Sequence, residues 1–107
     1  MVTFQYQLVI QFDASTVEDF DSLIEIEDAV ETALSNNTEA KLDGHDFGLG
    51  EFNIFIHTNE PKTCLAIAGD AIEAKRPGTS YAAGYRSYSD DCYTPIWPPT
   101  AESFSVS

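Results

Sequence analysis

The stretch Thr3-Phe4-Gln5-Tyr6-Gln7-Leu8-Val9-Ile10-Gln11-Phe12 decides the fold. Phe4, Tyr6, Leu8, Ile10 and Phe12 alternate with Thr3, Gln5, Gln7 and Gln11, and only Val9 breaks the rhythm. Successive side chains of a strand point to opposite faces, so this is a strand with one buried face. Its apolar row needs a cover. The expectation is a central strand with Leu8 and Ile10 deep beneath helices.

The next segment supplies one such helix. Ser15 or Thr16 can cap it, and Ser15-x-x-Glu18 fits a capping box. Phe20, Leu23, Ile24, Val30 and Leu34 recur three or four apart, which predicts a helix to about residue 34, ended by Ser35-Asn36-Asn37.

Residues 39–42 read as a short strand and residues 51–58 as a longer one. In the longer strand Phe52, Ile54 and Ile56 face one way, and Asn53, Phe55 and His57 the other. Pro61 suits the first turn of a second helix, with Asn59 or Glu60 ahead of it. Leu65, Ala68 and Ala71 or Ile72 mark its inner stripe, and Arg76-Pro77-Gly78 stops it. Tyr81, Ala83 and Tyr85 begin a further strand. Residues 92–97 return as a last one, which Pro95 confines to an edge or a bulge.

The order is β-α-β-β-α-β with an extra strand. Right-handed crossovers bring such a chain into one antiparallel sheet with both helices on one face. The element order resembles the ferredoxin-like plan: an α+β sandwich of four or five antiparallel strands and two helices. Residues 1–99 form the expected domain. Residues 100–107 form a C-terminal tail, from which Phe104 and Val106 could dock on the body.

The chain has 107 residues, 43% of them apolar, enough for one domain with a modest core. No apolar run approaches the length of a membrane span. The start has no basic region ahead of an apolar one, so no signal peptide is expected. Cys64 and Cys92 belong to no paired motif. Together these predict a reduced, cytoplasmic protein. Eighteen acids against five bases give a net charge of −13. Such a surface repels nucleic-acid phosphates and anionic membranes, and steers a basic protein partner inward. Tyr81, Tyr85, Tyr88, Tyr93 and Trp97 could stack on bases, but Arg86 is the one base among them.

Three stretches are candidate sites. The first is the helix 18–31, which carries seven acids and no lysine or arginine. Glu18, Asp21, Glu25 and Asp28 follow the spacing of one helical face, where like charges repel. The second is Asp43-Gly44-His45-Asp46-Phe47-Gly48-Leu49-Gly50-Glu51. Asp43, His45, Asp46 and Glu51, joined by His57, offer ligands that suit manganese, iron or zinc. Strand alternation sends Asp43 and His45 to one face and Asp46 to the other, unless Asp43-Gly44 bulges. Gly48 and Gly50 are expected to serve backbone geometry, so no metal or cofactor is assigned. The tripeptide Asp46-Phe47-Gly48 matches the metal-binding triplet of protein kinases, but the other kinase motifs are missing. The third is Asn53 with His57 on an open sheet face lined by Tyr85 or Tyr81.

The block from Asp43 to Ile56 resembles one in small acidic bacterial proteins of unassigned activity, a resemblance that implies no catalytic residue. No serine or cysteine has spacing that ties it to either histidine. The reading is therefore a small acidic protein-binding domain, with an immunity or antitoxin-like inhibitor of a basic effector as its sharpest form. Its alternative is a small enzyme or ligand-binding domain using the 43–51 loop and His57. A homodimer is compatible with either.

Overall fold

The computed structural model describes residues 3–14 and 17–106, with the backbone alone for 17–19. The proposed caps Ser15 and Thr16 lie outside the described residues, as does the side chain of Glu18. The elements are β1 (Tyr6–Asp13), α1 (Val17–Leu34), β2 (Ala40–Gly48), β3 (Glu51–Thr58), α2 (Pro61–Lys75), β4 (Ala82–Ser87) and β5 (Thr94–Trp97). The five strands form one antiparallel sheet in the order β2-β3-β1-β4-β5. This α+β architecture is compatible with the ferredoxin-like plan and departs from it by the fifth strand at the β4 edge. No described helix is long and apolar enough to cross a membrane.

β1 is central, as its alternation predicted. Leu8, Ile10 and Phe12 sit beside Ile56, Ile54 and Phe52 of β3 in register. These six side chains are buried against Leu23, Ile26 and Val30 of α1 and Leu65, Ala68 and Ile72 of α2. Val9, the break in the alternation, is fully buried on the far side. There it neighbours Phe55 and Gly84, and the C-terminal segment crosses the sheet nearby. A Cβ added to Gly84 would meet the Phe104 ring at 2.6 Å, so glycine is what lets the ring lie on the backbone. Gln11 Nε2 donates to the Ser105 carbonyl at 2.9 Å, and Tyr93 packs edge-on against Phe104.

The strand expected at 39–42 is much longer and runs through the acidic block to Gly48. The reversal is at Leu49-Gly50, both at positive φ (54° and 77°), between the paired Gly48 and Glu51. That geometry closes a two-residue hairpin. Gly50 meets the expectation, whereas Gly48 is not at positive φ and nothing crowds a Cβ there. The further positive φ of the strand is at Gly44, where the register slips between Leu42 and Gly44. Asp43-Gly44 is thus a β-bulge.

α2 begins at Pro61. Glu60 is its N-cap residue, one of the two expected, but its side chain makes no capping bond. Thr58 steadies the entry, its Oγ1 accepting from the Glu60 amide at 2.9 Å and donating to the Glu39 carbonyl at 2.8 Å. Cys64 is buried in α2 and Cys92 is exposed; both are free. Burial pushes the Cys64 thiol up to about 11.

Candidate functional site

The bulge decides how the 43–51 block is used. One extra residue in β2 reverses the facing of everything beyond it. Asp43 keeps the facing that alternation from Leu42 gives it, away from the helices, whereas His45 is turned towards them, so they do not share a face as simple alternation required. Asp46 lies opposite Asn53 on the far side, and Glu51 accepts from Gln11 Nε2 on that side at 3.3 Å. The proposed ligand set is divided by the sheet. Among the described residues, no three histidine, cysteine or acidic groups gather to hold a metal ion.

On the helix side, His45 Nδ1–H donates to both carboxylate oxygens of Glu27, at 2.9 and 3.1 Å. The imidazole stacks on Phe52 at 5.0 Å and meets Phe20 edge-on. Phe47 reaches the same Phe20 ring at 4.9 Å. This aromatic group pins the hairpin to α1. Burial pushes the Glu27 carboxyl up, against the lowering effect of His45. Glu27 is one of the seven acids of α1, yet it is buried. The signal was legible all the same: it sits four residues from Leu23 and three from Val30, inside the apolar stripe. An acid in that position needs a buried partner.

On the far side, His57 bridges two elements. Its Nε2 lies 3.2 Å from Asp43, and its Nδ1 is hydrogen-bonded to the Tyr88 hydroxyl. Phe4 stacks on the ring at 6.0 Å. In the neutral tautomer that donates Nε2–H to Asp43, Nδ1 accepts the phenolic proton. Burial, then the Asp43 charge, pushes the Tyr88 phenol up. Tyr88 is therefore a proton donor at neutral pH and not a phenolate nucleophile. Arg86 lies 5.4 Å from the Tyr88 ring centre and donates through Nε to Gln7 at 3.2 Å, while Tyr93 donates to the same Gln7 oxygen at 2.7 Å. Asn53 is buried and accepts from Gln11 at 3.1 Å.

The expected partners of Asn53 and His57 lie elsewhere. Tyr85 is paired with Leu8 and packs on Tyr6, and Tyr81 packs on Phe12, all on the helix side. Alternation puts Tyr81, Ala83 and Tyr85 on one face, and the pairing of Ala83 with Ile10 makes that the helix side. On the far face His57 instead meets Phe4 and Tyr88, with Phe55, Tyr93 and Phe104 on the same side.

Of the acidic helix face, Asp21, Glu25 and Asp28 are exposed. Arg76, at the end of α2, approaches Glu25 at 3.9 Å. No basic residue lies in the last turn of α1, so the helix brings no cation of its own to the end of its dipole. Comparison with protein families, curated proteins and solved structures finds no match to this chain.

Proposed function

We propose that this is an acidic binding domain on a ferredoxin-like plan with an added edge strand, and that α1 docks a basic protein partner. The observation that carries this reading is the row Asp21, Glu25 and Asp28, exposed along one face of a helix that has no basic residue of its own. Like charges at this spacing work against the helix. A surface that keeps such repulsion is suited to a cation brought by another molecule. Its sharpest form is an immunity or antitoxin-like inhibitor that offers carboxylates where an effector would otherwise hold nucleic-acid phosphates. A net charge of −13 speeds such an encounter and disfavours direct binding of nucleic acid.

The test replaces Asp21, Glu25 and Asp28 with Asn, Gln and Asn, and uses parent and variant as baits across a salt series. Capture of a basic protein should weaken in the variant, and salt should weaken capture by the parent. Equal capture by both baits at every salt concentration would remove the reading.

A second reading rests on the Asp43–His57–Tyr88 chain. There a half-exposed imidazole, held between a carboxylate and a protonated phenol, is arranged for proton transfer to a bound small molecule. A ligand at this site would have to displace Tyr88 from Nδ1. Histidine ring NMR signals of the parent and of Tyr88→Phe, followed through a small-molecule library, test it. A library that moves the His57 signals in neither protein ends this second reading.

A further inference from the structure

A groove of 650 Å³ runs between α2 and the β4–β5 edge. The volume falls in the range of small-molecule sites. Its apolar lining includes Leu65, Ile96 and Trp97, and its polar lining includes Asp70, Glu73 and Lys62. Tyr81 closes one wall, stacked on Trp97 with ring centres 5.8 Å apart and planes 24° from parallel. The phenol reaches α2 only because residue 69 is glycine: a Cβ there would lie 2.8 Å from the hydroxyl oxygen. Trp97 is 39% exposed, so part of its indole remains open towards the groove and solvent.

We propose that this groove binds a small organic cation, an amine whose apolar body lies against Leu65, Ile96 and the open face of Trp97 and whose ammonium group faces Asp70 and Glu73. Charge complementarity selects the occupant. Two carboxylates against the single ammonium of Lys62 leave the walls negative. An aromatic face beside carboxylates favours a cation over a neutral ligand of the same shape. The field of both carboxylates reaches the groove wall, since burial, then Asp70 and Glu73, push the Tyr81 phenol up. An anion would meet the same field as repulsion. The site is separate from the α1 face and does not depend on that face having a partner.

Trp97 is the sole tryptophan of the chain, so intrinsic fluorescence reads the groove directly. The probes are cyclohexylmethylamine, cyclohexylmethanol and cyclohexanecarboxylate, which share a body and differ in charge. The amine should give a saturable change with a millimolar or tighter Kd, the alcohol a change at least about fivefold weaker, and the carboxylate none. Asp70→Asn, at an exposed position, should weaken the amine by about two- to fivefold. The variant with Asp21, Glu25 and Asp28 neutralised should bind the amine as the parent does. The proposal is overturned by equal binding of amine and alcohol, or by no saturation up to about 10 mM amine. It is equally overturned if neutralising α1 weakens the amine as much as Asp70→Asn does, since the cation would then be drawn by net charge alone.

Discussion

On the helix side of the sheet, Leu8, Ile10, Ile54 and Ile56 are covered by two amphipathic helices. On the far side, a C-terminal segment without regular structure lies over Gly84 and reaches Gln11, beside a polar network around Gln7, Gln11 and His57. One face is closed by area, the other by a few fitted contacts. Each face also holds one histidine in a different way. His45 gives its Nδ1 to a buried carboxylate, whereas His57 spans two half-exposed partners. The difference teaches that an apolar row tolerates loose specification, while a thin cover depends on single residues such as Gly84.

The largest effect should come from the thick side. Leu8→Ala removes a fully buried side chain beneath both helices and should cost about 2–5 kcal/mol by urea denaturation. A variant as stable as the parent would mean that the helix cover is not the main source of stability. On the thin side, Gly84→Ala must push Phe104 away, at a cost of about 1–3 kcal/mol. The loss should appear together with loss of the NMR contacts between Tyr93 and Phe104, and with little change in the core. Gly48→Ala should be nearly silent by the same measure, because it meets no atom.

Next in size is a gain. Leu49 is 86% exposed and held at φ 54°, where a branched side chain is strained. Leu49→Gly should raise stability by about 0.5–1 kcal/mol, the strain relieved exceeding the extra entropy of the unfolded chain. A lower melting temperature would show that the leucine at the hairpin tip makes contacts of its own.

The smaller effects are electrostatic. The Glu27 carboxyl titrates higher in the folded chain than its ordinary value of 4.5. Between those two values the folded state binds the extra proton, so stability from this group falls as pH rises through that window. Glu27→Gln lacks this dependence. The stability difference between variant and parent should therefore move in favour of the variant across the window and stay level above it. A difference flat with pH would place Glu27 in water. Smallest of all, neutralising Asp21, Glu25 and Asp28 should stabilise the isolated protein by a few tenths of a kcal/mol per relieved pair, less whatever Glu25 gains from Arg76.

The sequence by itself determined the elements and the helix-side core. Alternation along residues 3–12 and 51–58 named Leu8, Ile10, Phe52, Ile54 and Ile56, because a strand's facing follows from its period of two. Pro61 and Arg76-Pro77-Gly78 marked the limits of α2 through backbone chemistry that acts locally. The exposed face of α1 was legible for the same reason. What only the tertiary structure decided is which polar groups meet. A single bulge at Asp43-Gly44 turned His45 to Glu27 and left Asp43 on the far face beside His57, across distances in sequence that no local pattern spans. The far-face cover and the groove beside Trp97 arise likewise where residues separated along the chain are brought together by packing. Local periodicity fixes direction, but a site is a meeting of directions, and one inserted residue is enough to change every meeting beyond it.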